Sequence, residues 1–194
     1  MVVISAISGS TEAGIALINA GADLDKQNSS YGNTALTEAA YGNSTKLAKA
    51  LIDGGADLNL QSKSGASALV MASDKKNLEI ANALIDASTD LNLQTEYGYS
   101  ALHWASNKNN TDMAKILLEA GIDSELKDQN GKSALGVATT AEMREIFSRH
   151  TASRKTELNP GAPTNLDQTR ASPSSEVKTT GDSLSVLDQY LSGQ

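Results

Sequence analysis

Gly98-Tyr99-Ser100-Ala101-Leu102 has three counterparts in this chain: Gly32-Asn33-Thr34-Ala35-Leu36, Gly65-Ala66-Ser67-Ala68-Leu69 and Gly131-Lys132-Ser133-Ala134-Leu135. The glycine returns every 33 residues. A period kept this closely marks a stack of small units, none of which buries its apolar face alone. Such a solenoid presents a long shaped surface and seldom a deep catalytic pocket, so binding leads the functional reading.

Working outward from Gly98, the segment Tyr97 to Ser106 predicts a turn followed by a short helix. The glycine suits a turn position with positive φ. Ser100 caps the helix, as Thr34, Ser67 and Ser133 do in their copies. A second helix starts near Thr111 and places Met113, Ile116, Leu117 and Leu118 on one apolar face. Gly121 ends it, and Asp123 opens the loop to the next unit. Equivalent phrases run from Leu47 to Asn59 and from Ile80 to Asn92, and Ile15 to Asp25 closes an incomplete first unit. Small residues on the first helices (Ala39, Ala72, Ala105, Ala138) let neighbours pack closely. The expected units are about 1–28, 29–61, 62–94, 95–127 and 128–150.

These residues resemble the ankyrin repeat family, whose pattern is G-x-T-P-L-H-x-A-A, a second helix, then G-A-D-V-N. Ser100-Ala101-Leu102-His103-Trp104-Ala105, Gly121-Ile122-Asp123 and Gly55-Ala56-Asp57-Leu58-Asn59 carry the match over residues 1–150. Ala stands where the family has Pro in every copy, and only one copy keeps the His. The resemblance implies an all-α repeat solenoid, an ankyrin-like stack of about five helix-turn-helix units with projecting turns. It further implies a non-enzymatic protein–protein interaction module or adaptor that holds a protein partner on its concave face. A variant of this reading makes the chain a translocated bacterial or viral effector that engages a host protein. The family also implies that His103 ties its helix to neighbouring loops. The Leu-x₅-Asp-Leu-Asn spacing that ends at Asn59 and Asn92 is similar to that of hydroxylated asparagines in ankyrin proteins.

Composition narrows the partners. The chain carries 16 Lys+Arg against 23 Asp+Glu, a net charge of −7. An acidic chain without a basic run does not suit nucleic acid or an anionic membrane surface. With no cysteine and two histidines there is little material for a metal centre, and no cofactor is expected. No apolar run approaches the ~18 residues of a membrane span, and Val2-Val3-Ile4 lacks a signal peptide's basic start. The expected location is the cytoplasm, or a host cell under the effector reading.

Two motifs suggest other chemistry and lose to the repeat. Gly131-Lys132-Ser133 echoes a phosphate-binding loop, but Leu126 stands where that loop needs glycine. Asp128-Gln129-Asn130-Gly131 mimics a calcium loop, but Thr139 replaces its bidentate Glu. Asp23, Asp57, Asp90 and Asp123 read as loop-forming acids. The aromatic residues are the stronger signal. Tyr31 and Tyr97 precede a turn glycine, Tyr99 follows one, and Tyr41 ends a first helix. The resemblance puts these positions on the concave face, where tyrosine and tryptophan are favoured anchors. The candidate partner-binding residues are Tyr31, Tyr41, Tyr97, Tyr99, Trp104, Asn107, Lys108 and Lys132.

Residues 151–194 hold all three prolines and many Ser and Thr, and are expected to be largely disordered. A short helix over 184–191 is expected to form only against a partner. At the other end, Val2 takes the core position of Leu36, and Val3, Ile4 and Ile7 give the first helix an apolar outer face. A terminal unit normally turns a polar face outward, so this N-terminal edge is expected to meet another chain, either by self-association with a second copy or at the edge of a partner.

Overall fold

The computed structural model describes residues 10–158, with side chains through Arg154. Eight helices lie among them: α1 (Thr11–Asn19), α2 (Ala35–Tyr41), α3 (Thr45–Asp53), α4 (Ala68–Asp74), α5 (Leu78–Asp86), α6 (Ala101–Asn107), α7 (Thr111–Glu119) and α8 (Ala141–Leu158). The pairs α2–α3, α4–α5 and α6–α7 are three successive units. α1 closes the unit before them, and α8 is the second helix of the one after. The N-terminal edge at Val2, Val3, Ile4 and Ile7, and the segment 184–191, lie outside the described residues.

The first helices begin where the hydroxyl residues predict. The amides of Thr37, Val70 and His103 donate to Thr34 Oγ1, Ser67 Oγ and Ser100 Oγ at 3.2, 3.3 and 3.4 Å. Each such cap stabilises its helix by about 1 kcal/mol. The core is the repeat written in side chains. Leu36, Leu69 and Leu102 are buried on the first helices beside Ala39, Ala72 and Ala105. Leu47, Ile80 and Met113, then Leu51, Leu84 and Leu117, fill the second layer. The alanines allow α2, α4 and α6 to pack more closely than the second helices do. That difference curves the stack and puts the first helices on its concave side.

Between units the chain projects as short fingers. Each finger closes on itself: the amides of Ser62, Thr95 and Asp128 bond the carbonyls of Ala66, Tyr99 and Lys132. Each also bonds the next one, since the amides of Lys63, Glu96 and Gln129 reach the carbonyls of Tyr31, Ser64 and Tyr97 at 2.9, 2.9 and 3.0 Å. The recurring glycine sits at this junction. Gly98 has φ +77°, and a Cβ there would lie 2.7 Å from Asp128 Cα and 2.9 Å from Gln129 N. Gly131 has φ +73° but nothing within 4 Å of the same point.

The fifth unit differs from the expected helix pair. Residues 134–137 form a single turn in place of a first helix. Gly136 takes the register of Thr37, Val70 and His103, and glycine costs a helix ~1 kcal/mol relative to alanine. Leu135 is 44% exposed, whereas its counterparts Leu36, Leu69 and Leu102 are at 1% or less. The expected boundary at residue 150 falls inside α8, which continues to Leu158. The residues from Thr151 to Leu158 contain neither Gly nor Pro and include the good helix formers Arg154, Lys155 and Glu157. Those eight residues were expected to be disordered and are helical instead.

The two glycines give a direct comparison. Gly98→Ala and Gly131→Ala both place a Cβ in a left-handed backbone, at about 1–2 kcal/mol. Only Gly98→Ala adds overpacking against the next finger, about 1–3 kcal/mol more. Urea unfolding should therefore show a clearly lower midpoint for Gly98→Ala. Equal losses would mean that the close approach carries no energy.

Candidate protein-interaction surface

The concave side is built from α2, α4, α6 and the fingers that precede them. The Tyr31 amide donates to Asn28 Oδ1 at 2.8 Å while its carbonyl holds Lys63, and the Tyr97 carbonyl holds Gln129. The backbone at both residues is thus fixed, yet the rings are 70% and 65% exposed. Tyr41, at the end of α2, is also exposed, with Lys75 Nζ 3.9 Å above its ring.

The other candidates divide. Tyr99 is half-buried, 5.6 Å from the rings of both His103 and Trp104. It packs on the α6 of its own unit, so its ring contacts are internal. Trp104 is half-buried on α6, with Lys108 Nζ 5.5 Å from its ring. Lys108 Nζ also lies 3.2 Å from Asp74 Oδ1. Tyr97, Tyr99, Trp104 and Lys108 therefore form one cluster between the third and fourth units. Asn107 and Lys132 are exposed, and neither side chain hydrogen-bonds within that cluster. Tyr31 and Tyr41 belong to the second unit, two periods before Tyr97.

His103 is structural by its contacts. Its Nδ1 lies 2.8 Å from Ser100 Oγ and accepts from the Ser100 amide at 3.3 Å, which leaves Nε2–H to donate to the Lys132 carbonyl at 3.1 Å. The imidazole links α6 to the next finger. Burial pushes its pKa below the ordinary 6.5, against the opposing pull of the Lys132 carbonyl and of Asp128. Asp128 caps that finger by accepting from the amides of Lys132 and Asn130. The Lys132 amide above all holds the carboxyl below its ordinary 3.8.

Two ladders that set this geometry were missed from sequence. Gln27, Gln61 and Gln94 each donate Nε2 to the carbonyl of their own turn glycine and to that of Gln61, Gln94 and Lys127 in the next unit. Asp25, Asn59 and Asn92 each accept the amide of Asp57, Asp90 and Asp123. The signal was present in part: Gln61 and Gln94, like Asn59 and Asn92, keep the glycine's 33-residue spacing, while Gln27 and Asp25 precede them by 34. The four serial aspartates act locally: Asp23, Asp57, Asp90 and Asp123 each accept the amide two residues on. Among the described residues no His, Asp or Glu cluster is arranged to hold a metal ion, and no helix is long and apolar enough to cross a membrane.

A family model described as ankyrin repeats (3 copies) matches residues 2–95 and 69–149. No curated protein matches the chain.

The histidine makes acid stability testable. Its folded pKa is lowered, so between that value and 6.5 the unfolded chain binds more protons. Its contribution is complete above 6.5 and is lost as pH falls through this window; the Asp128 contribution is lost only below 3.8. His103→Gln should flatten the fall in urea midpoint between neutral and mildly acid pH. An unchanged slope would remove His103 as its source.

Proposed function

This chain belongs to the ankyrin repeat family, and from that premise we propose that it is a non-enzymatic adaptor that binds a protein partner on its concave face. The observation that carries this reading is the exposure of three tyrosines, Tyr31, Tyr41 and Tyr97, on fingers and a helix fixed by the next unit. A tyrosine brings large contact area with few rotatable bonds. Held on a rigid backbone, it loses little entropy when a partner covers it. Rings of this kind are the usual energetic anchors of interfaces, each contributing about 2 kcal/mol or more when buried at the centre.

Trp104 and Lys108 belong to the same surface, Asn107 and Lys132 to its polar surroundings. Tyr99 supports it from beneath. Its contacts with His103 and Trp104 make it the residue whose loss acts on both binding and fold.

Affinity capture with the full chain and a Tyr31→Ala, Tyr41→Ala, Tyr97→Ala triple variant tests the proposal. The triple variant should lose the proteins retained by the wild type while its melting temperature stays unchanged. Tyr99→Ala should lower the melting temperature. Retention of the same proteins by the triple variant would place the binding surface elsewhere.

A further inference from the structure

One hole on the concave side is lined mostly by apolar side chains. Between α4 and α6, a cavity of about 160 Å³ is walled by Ala66, Val70, Met71, Thr95, Tyr97 and Trp104. A cavity of ~150 Å³ lined by apolar groups accepts a benzene-sized molecule, whereas small-molecule and cofactor sites run to about 300–1,000 Å³. This hole has room for one side chain. Its position follows from a local departure in the repeat. Met71 and Trp104 occupy the register where the preceding unit has Glu38, whose carboxylate is taken up by Asn28 and Asn33 at 3.2 and 2.8 Å.

The lip is charged. Asp74, which also lines the hole, lies between Lys108 Nζ at 3.2 Å and Lys75 Nζ at 3.5 Å. Two ammonium groups share one carboxylate, and this leaves a positive charge beside the hole on a chain whose net charge is −7. An apolar socket beside surplus positive charge complements an apolar side chain that has a carboxylate next to it.

We infer that this hole is the anchor subsite for one aliphatic side chain, of leucine or methionine size, on an extended acidic segment of the partner, whose neighbouring carboxylate meets Lys75 and Lys108. The inference rests on the protein-binding reading above and names the chemistry that the surface selects. Met71 and Trp104 form the socket, Tyr97 covers one side, and the lysines fix which way the segment runs.

The molecule carries its own reporters. Trp104 is the single tryptophan, and Met71 is in the socket while Met113 and Met143 are fully buried. Short peptides selected from a randomised display library on the full chain should share an aliphatic residue beside Asp or Glu. Resynthesised, they should shift the Trp104 emission and the Met71 methyl resonance and leave Met113 and Met143 in place. Replacing the aliphatic residue by alanine should weaken binding about tenfold or more, and rising salt should weaken it further. Ser64→Trp, at the mouth of the hole, should abolish it. Peptides that leave Trp104 and Met71 unmoved but are lost in the tyrosine triple variant would overturn the anchor and keep the protein-binding reading. Peptides insensitive to both changes would overturn both. A selection that enriches no peptide would overturn the anchor.

Discussion

The constraint on which this array depends is the approach of one backbone to another at the finger junctions. At Gly65 and Gly98 the left-handed backbone turns the finger back, and the next finger arrives where a side chain would begin. One residue meets two demands, and only glycine satisfies both. At Gly131 no described residue takes that place, and the same unit has a single turn in place of its first helix and exposes Leu135.

The same junctions prepare the surface for binding. Backbone bonds from finger to finger, the glutamine ladder beneath them and the Asp25, Asn59 and Asn92 bridges at the loops hold each unit by the next. Rigidity arises between units, as expected for a solenoid whose stability lies in its nearest-neighbour interfaces. The tyrosines extend from positions whose backbone is already fixed, so on the proposed surface a partner would meet anchors that need little ordering. The acids that give the chain its negative charge lie both in the loops between units and on the helices. At the ends of α4 and α6, Lys75 and Lys108 flank the single carboxylate of Asp74.

Much of this was legible in the sequence because repetition turns a single observation into several. The glycine, the capping hydroxyls and the loop aspartates recur, and the structure gives them the same role in all but the last copy, where Gly131 has no close neighbour among the described residues and Ser133 precedes a single turn. Ser88 is legible as an exception: it takes φ +62° where Gly21, Gly55 and Gly121 stand in the other units. Side-chain partners across units were not legible, because Gln61 and Asn59 look like ordinary polar loop residues until the next unit is placed against them. Tyr99 illustrates the limit. Its position beside the turn suggested an exposed ring, and only the packing of His103 and Trp104 shows that it faces the array. The Met71–Trp104 socket was hidden for a similar reason, since it needs the first helices of two units side by side.

Hydrogen exchange at the finger amides tests the central claim, that each unit is held by the next. The amides of Lys63, Glu96 and Gln129 lie in short turns outside any helix, and their only backbone acceptors are in the preceding unit. The account predicts that they exchange as slowly as amides of the buried first helices, because releasing them requires parting two units. Exchange at these three amides close to the rate of an open chain would show that the fingers move independently and would contradict it.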